Sequence, residues 1–103
     1  PATITMKGHL WPLQSIGPVS IPVPIGTTKA IVELWWVHGW DTYPTADLDL
    51  TIFWNGAFDY RASTSNSPER AVLIGPTGNI LLTISAYELH TGREPFELRI
   101  TFV

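Results

Sequence analysis

Asp47 and Asp49 stand two positions apart in an acid–leucine alternation, Asp47-Leu48-Asp49-Leu50. In an extended strand, side chains at i and i+2 point to the same side, about 6.6–7 Å apart. Two carboxylates on one face repel unless a positive charge lies between or beside them. Calcium supplies that charge, because it takes about six to eight oxygens, carboxylates and loop carbonyls among them. Asp41 and the carbonyls of the 39–46 loop extend the set, so Asp41, Asp47 and Asp49 are the expected metal ligands and calcium the expected cofactor. The competing arrangement has Asp47 capping a turn and Asp49 paired with an arginine or facing water.

The chain carries five tryptophans. Trp36 and Trp54 fall on the apolar faces of alternating stretches and are expected in the core. Trp35 falls on the opposite face, beside Glu33, while Trp40 and Tyr43 lie in a polar stretch with Gly39, Asp41 and Pro44. Planar aromatics flanked by polar groups can stack against sugar rings or a peptide, so Trp35, Trp40 and Tyr43 are the candidate ligand-binding residues. The competing role for a loop tryptophan is to plug the end of the fold.

Catalysis finds little support. His9, His38 and His90 could act as bases, but a nucleophile needs an adjacent base held by a third group, and no Gly-x-Ser-x-Gly elbow is present. His38 falls at a strand end and His90 in a turn, where histidines are commonly solvated. Glu69-Arg70 and Arg93-Glu94 read as solvated pairs near turns, worth at most about 1 kcal/mol each. The chain is expected not to be an enzyme.

The elements that must position these residues are strands. Period-two alternation recurs: Phe96, Leu98, Ile100 and Phe102 against Glu97, Arg99 and Thr101; Val32, Leu34 and Trp36; Leu48, Leu50, Ile52 and Trp54; Val72 and Ile74; Ile80, Leu82 and Ile84. Turn residues separate the runs at Gly17-Pro18, Gly26-Thr27, Asn55-Gly56, Gly75-Pro76, Gly78-Asn79 and Gly92. Asn55-Gly56 suits a type I′ hairpin. Pro22 and Pro24 place the 19–25 run at a sheet edge or make it irregular, since proline has no N–H for the ladder. About eight strands are expected, near 3–9, 19–25, 30–37, 48–54, 58–63, 70–74, 79–88 and 95–102, which makes a sandwich or barrel.

Composition narrows the class further. With 45% apolar and 15% charged residues in 103, the chain is expected to form one domain, 1–103, around one core. Six basic residues scattered from Lys7 to Arg99 and a net charge of −3 argue against a nucleic-acid partner. No apolar run approaches the ~20 residues of a helical membrane span, so no membrane partner is expected. There is no cysteine, which rules out disulfides and thiolate zinc sites. Both ends are expected to be boundaries within a longer polypeptide.

Residues 30–102 also resemble a known pattern. Val32-Glu33-Leu34-Trp35-Trp36 is followed by Gly39-Trp40-Asp41 and then by Asp47-Leu48-Asp49-Leu50. A polar stretch with Asn66, Ser67, Pro68 and Glu69 leads to Val72-Leu73-Ile74. Gly78 opens the strand Ile80 to Tyr87, and Pro95-Phe96-Glu97-Leu98 begins the last one. In this order the pieces resemble the C-terminal jelly-roll domain of secreted subtilisin-like serine proteases, akin to the pre-peptidase C-terminal domain. The sequence departs from that pattern in having Ala46 before the first aspartate and extra tryptophans at 35–36 and 40. The resemblance implies an all-β, two-sheet antiparallel β-sandwich of jelly-roll type. It also implies an extracellular accessory role, with the upstream catalytic domain of the same chain as partner and calcium often bound. The expected function is to stabilise that parent and to aid attachment to polymeric substrate. The alternative is a carbohydrate- or polymer-binding module using exposed Trp and Tyr.

Overall fold

Alternation of apolar and polar residues every second position gives each strand one face to bury, and two sheets must then close on each other. The computed structural model describes residues 2–38, 46–62, 68–89 and 92–103, with 87–89 in backbone alone. Eight strands run β1 Ala2–Leu10, β2 Ser15–Pro22, β3 Lys29–Trp36, β4 Ala46–Trp54, β5 Ala57–Asp59, β6 Glu69–Ile74, β7 Asn79–Leu89 and β8 Glu94–Phe102. They form two four-stranded sheets in the orders β1-β8-β3-β6 and β2-β7-β4-β5, with every pair antiparallel. This is the jelly-roll arrangement, in which consecutive strands pass mainly from one sheet to the other.

The core lies between the sheets. Val32, Leu34, Leu73, Leu98 and Ile100 of one layer meet Leu48, Leu50, Ile52, Ile80, Leu82 and Ile84 of the other, all essentially inaccessible. Each such side chain contributes roughly 1.5–3 kcal/mol through burial. Trp36 is buried and its Nε1 donates to the Ala46 carbonyl at 2.9 Å, while Trp54 packs against the core and donates to Asp59 Oδ2 at 3.1 Å.

Two expected boundaries move. Gly17-Pro18 reads as a turn in the sequence but lies inside β2 as a bulge, because pairing with β7 passes from Ile16–Ile84 to Val19–Leu82. Gly17 has φ +120°, and a Cβ there would lie 2.4 Å from the Leu82 carbonyl oxygen, so only glycine fits. Pro18 is tolerated because β2 is an edge strand. Where the alternation suggests a strand over 58–63, β5 ends at Asp59. That carboxylate turns back to accept the Arg61 backbone N–H and its guanidinium. The β4–β5 hairpin closes through Asn55 at φ +48° and Gly56 at φ +82°, the type I′ pattern expected of Asn-Gly.

Candidate metal centre

Asp47 and Asp49 share one side of β4 while Ala46, Leu48, Leu50 and Ile52 fill the core from the other. β5 covers β4 only opposite Ile52 to Trp54. Farther back along the strand the Leu50 N–H reaches the Ala62 carbonyl at 3.2 Å, and from there the chain crosses to β6 in the other sheet. The first residue of β6 is Glu69, on the inward side with Ala71 and Leu73 and only 2% exposed.

Carboxylate oxygens of Asp47, Asp49 and Glu69 lie within 4.8 Å of one another. Ligand oxygens at 2.3–2.6 Å from a calcium ion can be at most about 5 Å apart, so the spacing fits a shared hard cation. Among the described residues the set is three carboxylates without a nitrogen or sulfur donor, which suits such an ion better than a soft transition metal. The triad can hold a metal ion, and it joins strands of the two different sheets. Burial pushes the Asp49 carboxyl above its ordinary value, as expected where desolvation disfavours the charged form. A bound cation acts in the opposite sense.

The sequence singled out two of these three. Asp41 lies outside the described residues, as do Trp40, Tyr43 and His90. Glu69 is a correction: it is not the solvated partner of Arg70, which instead lies 3.8 Å from Glu33. The signal that finds it is the period-two register, since Glu69, Ala71 and Leu73 sit on one face and a turn-adjacent glutamate one step before an apolar row is drawn inward with it.

The same correction applies to Glu94. It is fully buried rather than solvated, and its place one step before Phe96, Leu98 and Ile100 is again the missed signal. Its Oε2 accepts the Val37 and His38 backbone N–H groups at 2.9 and 2.8 Å, and its Oε1 lies 2.8 Å from His38 Nδ1. His38 is thus held at the end of β3 rather than left in solvent. The His38 carbonyl in turn accepts the Ala46 N–H at 2.8 Å, which ties the end of β3 to the start of β4.

Trp35 is 39% exposed on the outer face of β3, in a shallow depression of about 310 Å³ with Lys7, Val37, Pro95 and Glu97. A second concavity, about 430 Å³, was not anticipated from the sequence. It lies on the outer face of the other sheet between Thr51, Phe53, Phe58, Leu81 and Thr83. There Phe53 and Phe58 meet edge to face at 4.9 Å and Phe58 stacks on Tyr60 at 5.9 Å.

No protein-family model matches this chain, and no curated protein matches it closely enough to count as a relative.

Proposed function

We propose that this domain is a non-catalytic accessory jelly roll of a secreted subtilisin-like protease, tied across its two sheets by a calcium ion at Asp47, Asp49 and Glu69. The observation that carries the reading is the convergence of the three carboxylates from β4 and β6 within 4.8 Å. The ordered sequence pieces from Ala30 to Phe102 and the jelly-roll strand order support the family assignment. The mechanism is physical. An ion that binds the folded state alone stabilises it by mass action, and the stabilised domain in turn braces the catalytic domain preceding it.

Calorimetric titration of the domain with calcium tests the metal directly. Binding that is lost in Glu69→Gln and Asp49→Asn is the expected result, and absence of binding to the unaltered chain removes the metal from the proposal. The accessory role is tested in the parent protease. Deleting this segment should lower its thermal stability or its activity on insoluble substrate, and a truncated parent equal to the intact one in both overturns that role.

A second reading, attachment to a polymer, is favoured by the exposure of Trp35 in its depression. Depletion from solution by an insoluble polysaccharide or protein, lost in Trp35→Ala, supports it, and no depletion by any polymer ends it.

A further inference from the structure

Asn55 and Gly56 occupy the two central positions of the β4–β5 turn. An asparagine followed by glycine is the dipeptide most open to spontaneous deamidation, because no side chain shields the following amide nitrogen. The reaction balances with water alone. The Gly56 nitrogen attacks Asn55 Cγ, an N–C bond forms, the Cγ–Nδ2 bond breaks, and ammonia leaves carrying the Gly56 amide proton. Water then opens the succinimide at either carbonyl to give aspartate or isoaspartate.

In this fold the Asn55 side chain is not free to rotate toward that attack. Its Oδ1 accepts the Thr77 backbone N–H and the Thr77 hydroxyl, both at 2.9 Å, and its Nδ2 donates to the Gly75 carbonyl at 3.0 Å. Three hydrogen bonds pin the β4–β5 turn to the β6–β7 turn and hold both ends of the amide. We propose that Asn55 is a deamidation site whose rate the fold sets, held in check by Thr77 and Gly75 and released when this pin opens.

The products cannot restore the pin. Aspartate replaces the Nδ2 donor by a carboxylate oxygen facing the Gly75 carbonyl oxygen, and isoaspartate, whose Cγ has become part of the backbone, loses that donor and lengthens a two-residue turn that has no slack. Modification therefore loosens the contact between the two turns irreversibly.

The remaining asparagines, Asn66 before Ser67 and Asn79 before Ile80, serve as internal references. The test incubates the chain at mildly alkaline pH, native and in strong guanidinium, and follows each asparagine by peptide mapping with isoaspartate-specific methylation. In denaturant Asn55 should convert faster than Asn66 and Asn79. In the native chain its conversion should be about tenfold slower or more, as expected when reaction requires local opening. Thr77→Val, which removes the hydroxyl and keeps the shape, should speed native conversion about threefold or more and leave the denatured rate unchanged. Equal native and denatured rates at Asn55, or a Thr77→Val rate equal to the unaltered chain, overturn the proposal.

Discussion

At the scale of single residues, the groups that matter most are two glutamates buried at strand starts. Glu94 gathers two backbone N–H groups and His38 on one carboxylate with no exposure to solvent. Glu94→Ala leaves those donors without their acceptor and opens a void, so it should cost about 3 kcal/mol or more. Glu94→Gln keeps the shape and one acceptor, and should cost about 1–3 kcal/mol. Guanidinium unfolding midpoints give both values, and a Glu94→Ala protein as stable as the unaltered one would sink the anchoring role. Asp59 makes the opposite electrostatic case to Asp49. The Arg61 guanidinium, 2.6 Å away, lowers its carboxyl from 3.8 to about 2, with lesser help from the Arg61 backbone N–H and the Trp54 indole. A group depressed on folding adds stability that is fully present above its unfolded value of 3.8 and is lost as pH falls through its folded value of about 2. Arg61 is half exposed, so solvent screening limits the contribution to about 1 kcal/mol. In Asp59→Asn that increment should be missing at neutral pH, and the difference from the unaltered chain should shrink steadily below pH 4. A difference that is constant over that range contradicts the assignment.

At the scale of elements, glycine position separates two effects that look alike in the sequence. Gly17 and Gly56 both have positive φ, but a Cβ at Gly17 would collide with the Leu82 backbone, whereas nothing lies within 4 Å of one at Gly56. Gly56→Ala should therefore cost about 1–2 kcal/mol of backbone strain. Gly17→Ala should cost about 3 kcal/mol or more, because overpacking against β7 adds to the strain. Chemical denaturation of the pair decides it, and equal losses would contradict the bulge. The same bulge shows where reading by pattern stops. Gly-Pro between two runs has the composition of a turn, and only the pairing of β2 with β7 shows that the chain continues straight through it. β3, β4, β6, β7 and β8 follow from period-two alternation to within a few residues because one buried face forces that period, and β1 and β2, mostly exposed, lie near their expected ranges without it. β5 is the short exception, since a side chain–backbone bond at Asp59 ends it and such local competition leaves no periodic trace. Two of the three residues of the candidate metal site were legible for a related reason. Asp47 and Asp49 are neighbours on one strand, which spacing reveals, whereas Glu69 arrives from the other sheet through a crossing that spacing alone does not encode.

For the whole molecule, the position of the triad matters more than its charge count. β4 and β6 belong to different sheets and bring Asp47, Asp49 and Glu69 together along one edge of the sandwich. Without a cation, ionised carboxylates held within 4.8 Å repel one another. With one, the repulsion becomes a tie between layers that otherwise adhere through the apolar core. Folding and ion binding are then linked, and stabilisation should grow with the logarithm of free calcium rather than level off. At about one hundred times the dissociation constant the gain is about 2.7 kcal/mol. In a domain of this size each kcal/mol moves the thermal midpoint by roughly 4–8 °C, so a rise of roughly 10–20 °C is expected between chelator and excess calcium. Glu69→Gln should abolish most of that dependence, leaving the midpoint nearly the same in chelator and in excess calcium. That loss of dependence distinguishes a cation site from an ordinary buried glutamate, whose replacement lowers the midpoint equally with and without calcium. A midpoint indifferent to calcium in the unaltered chain would remove the cation from the triad and leave the sandwich held by its core and its hydrogen bonds.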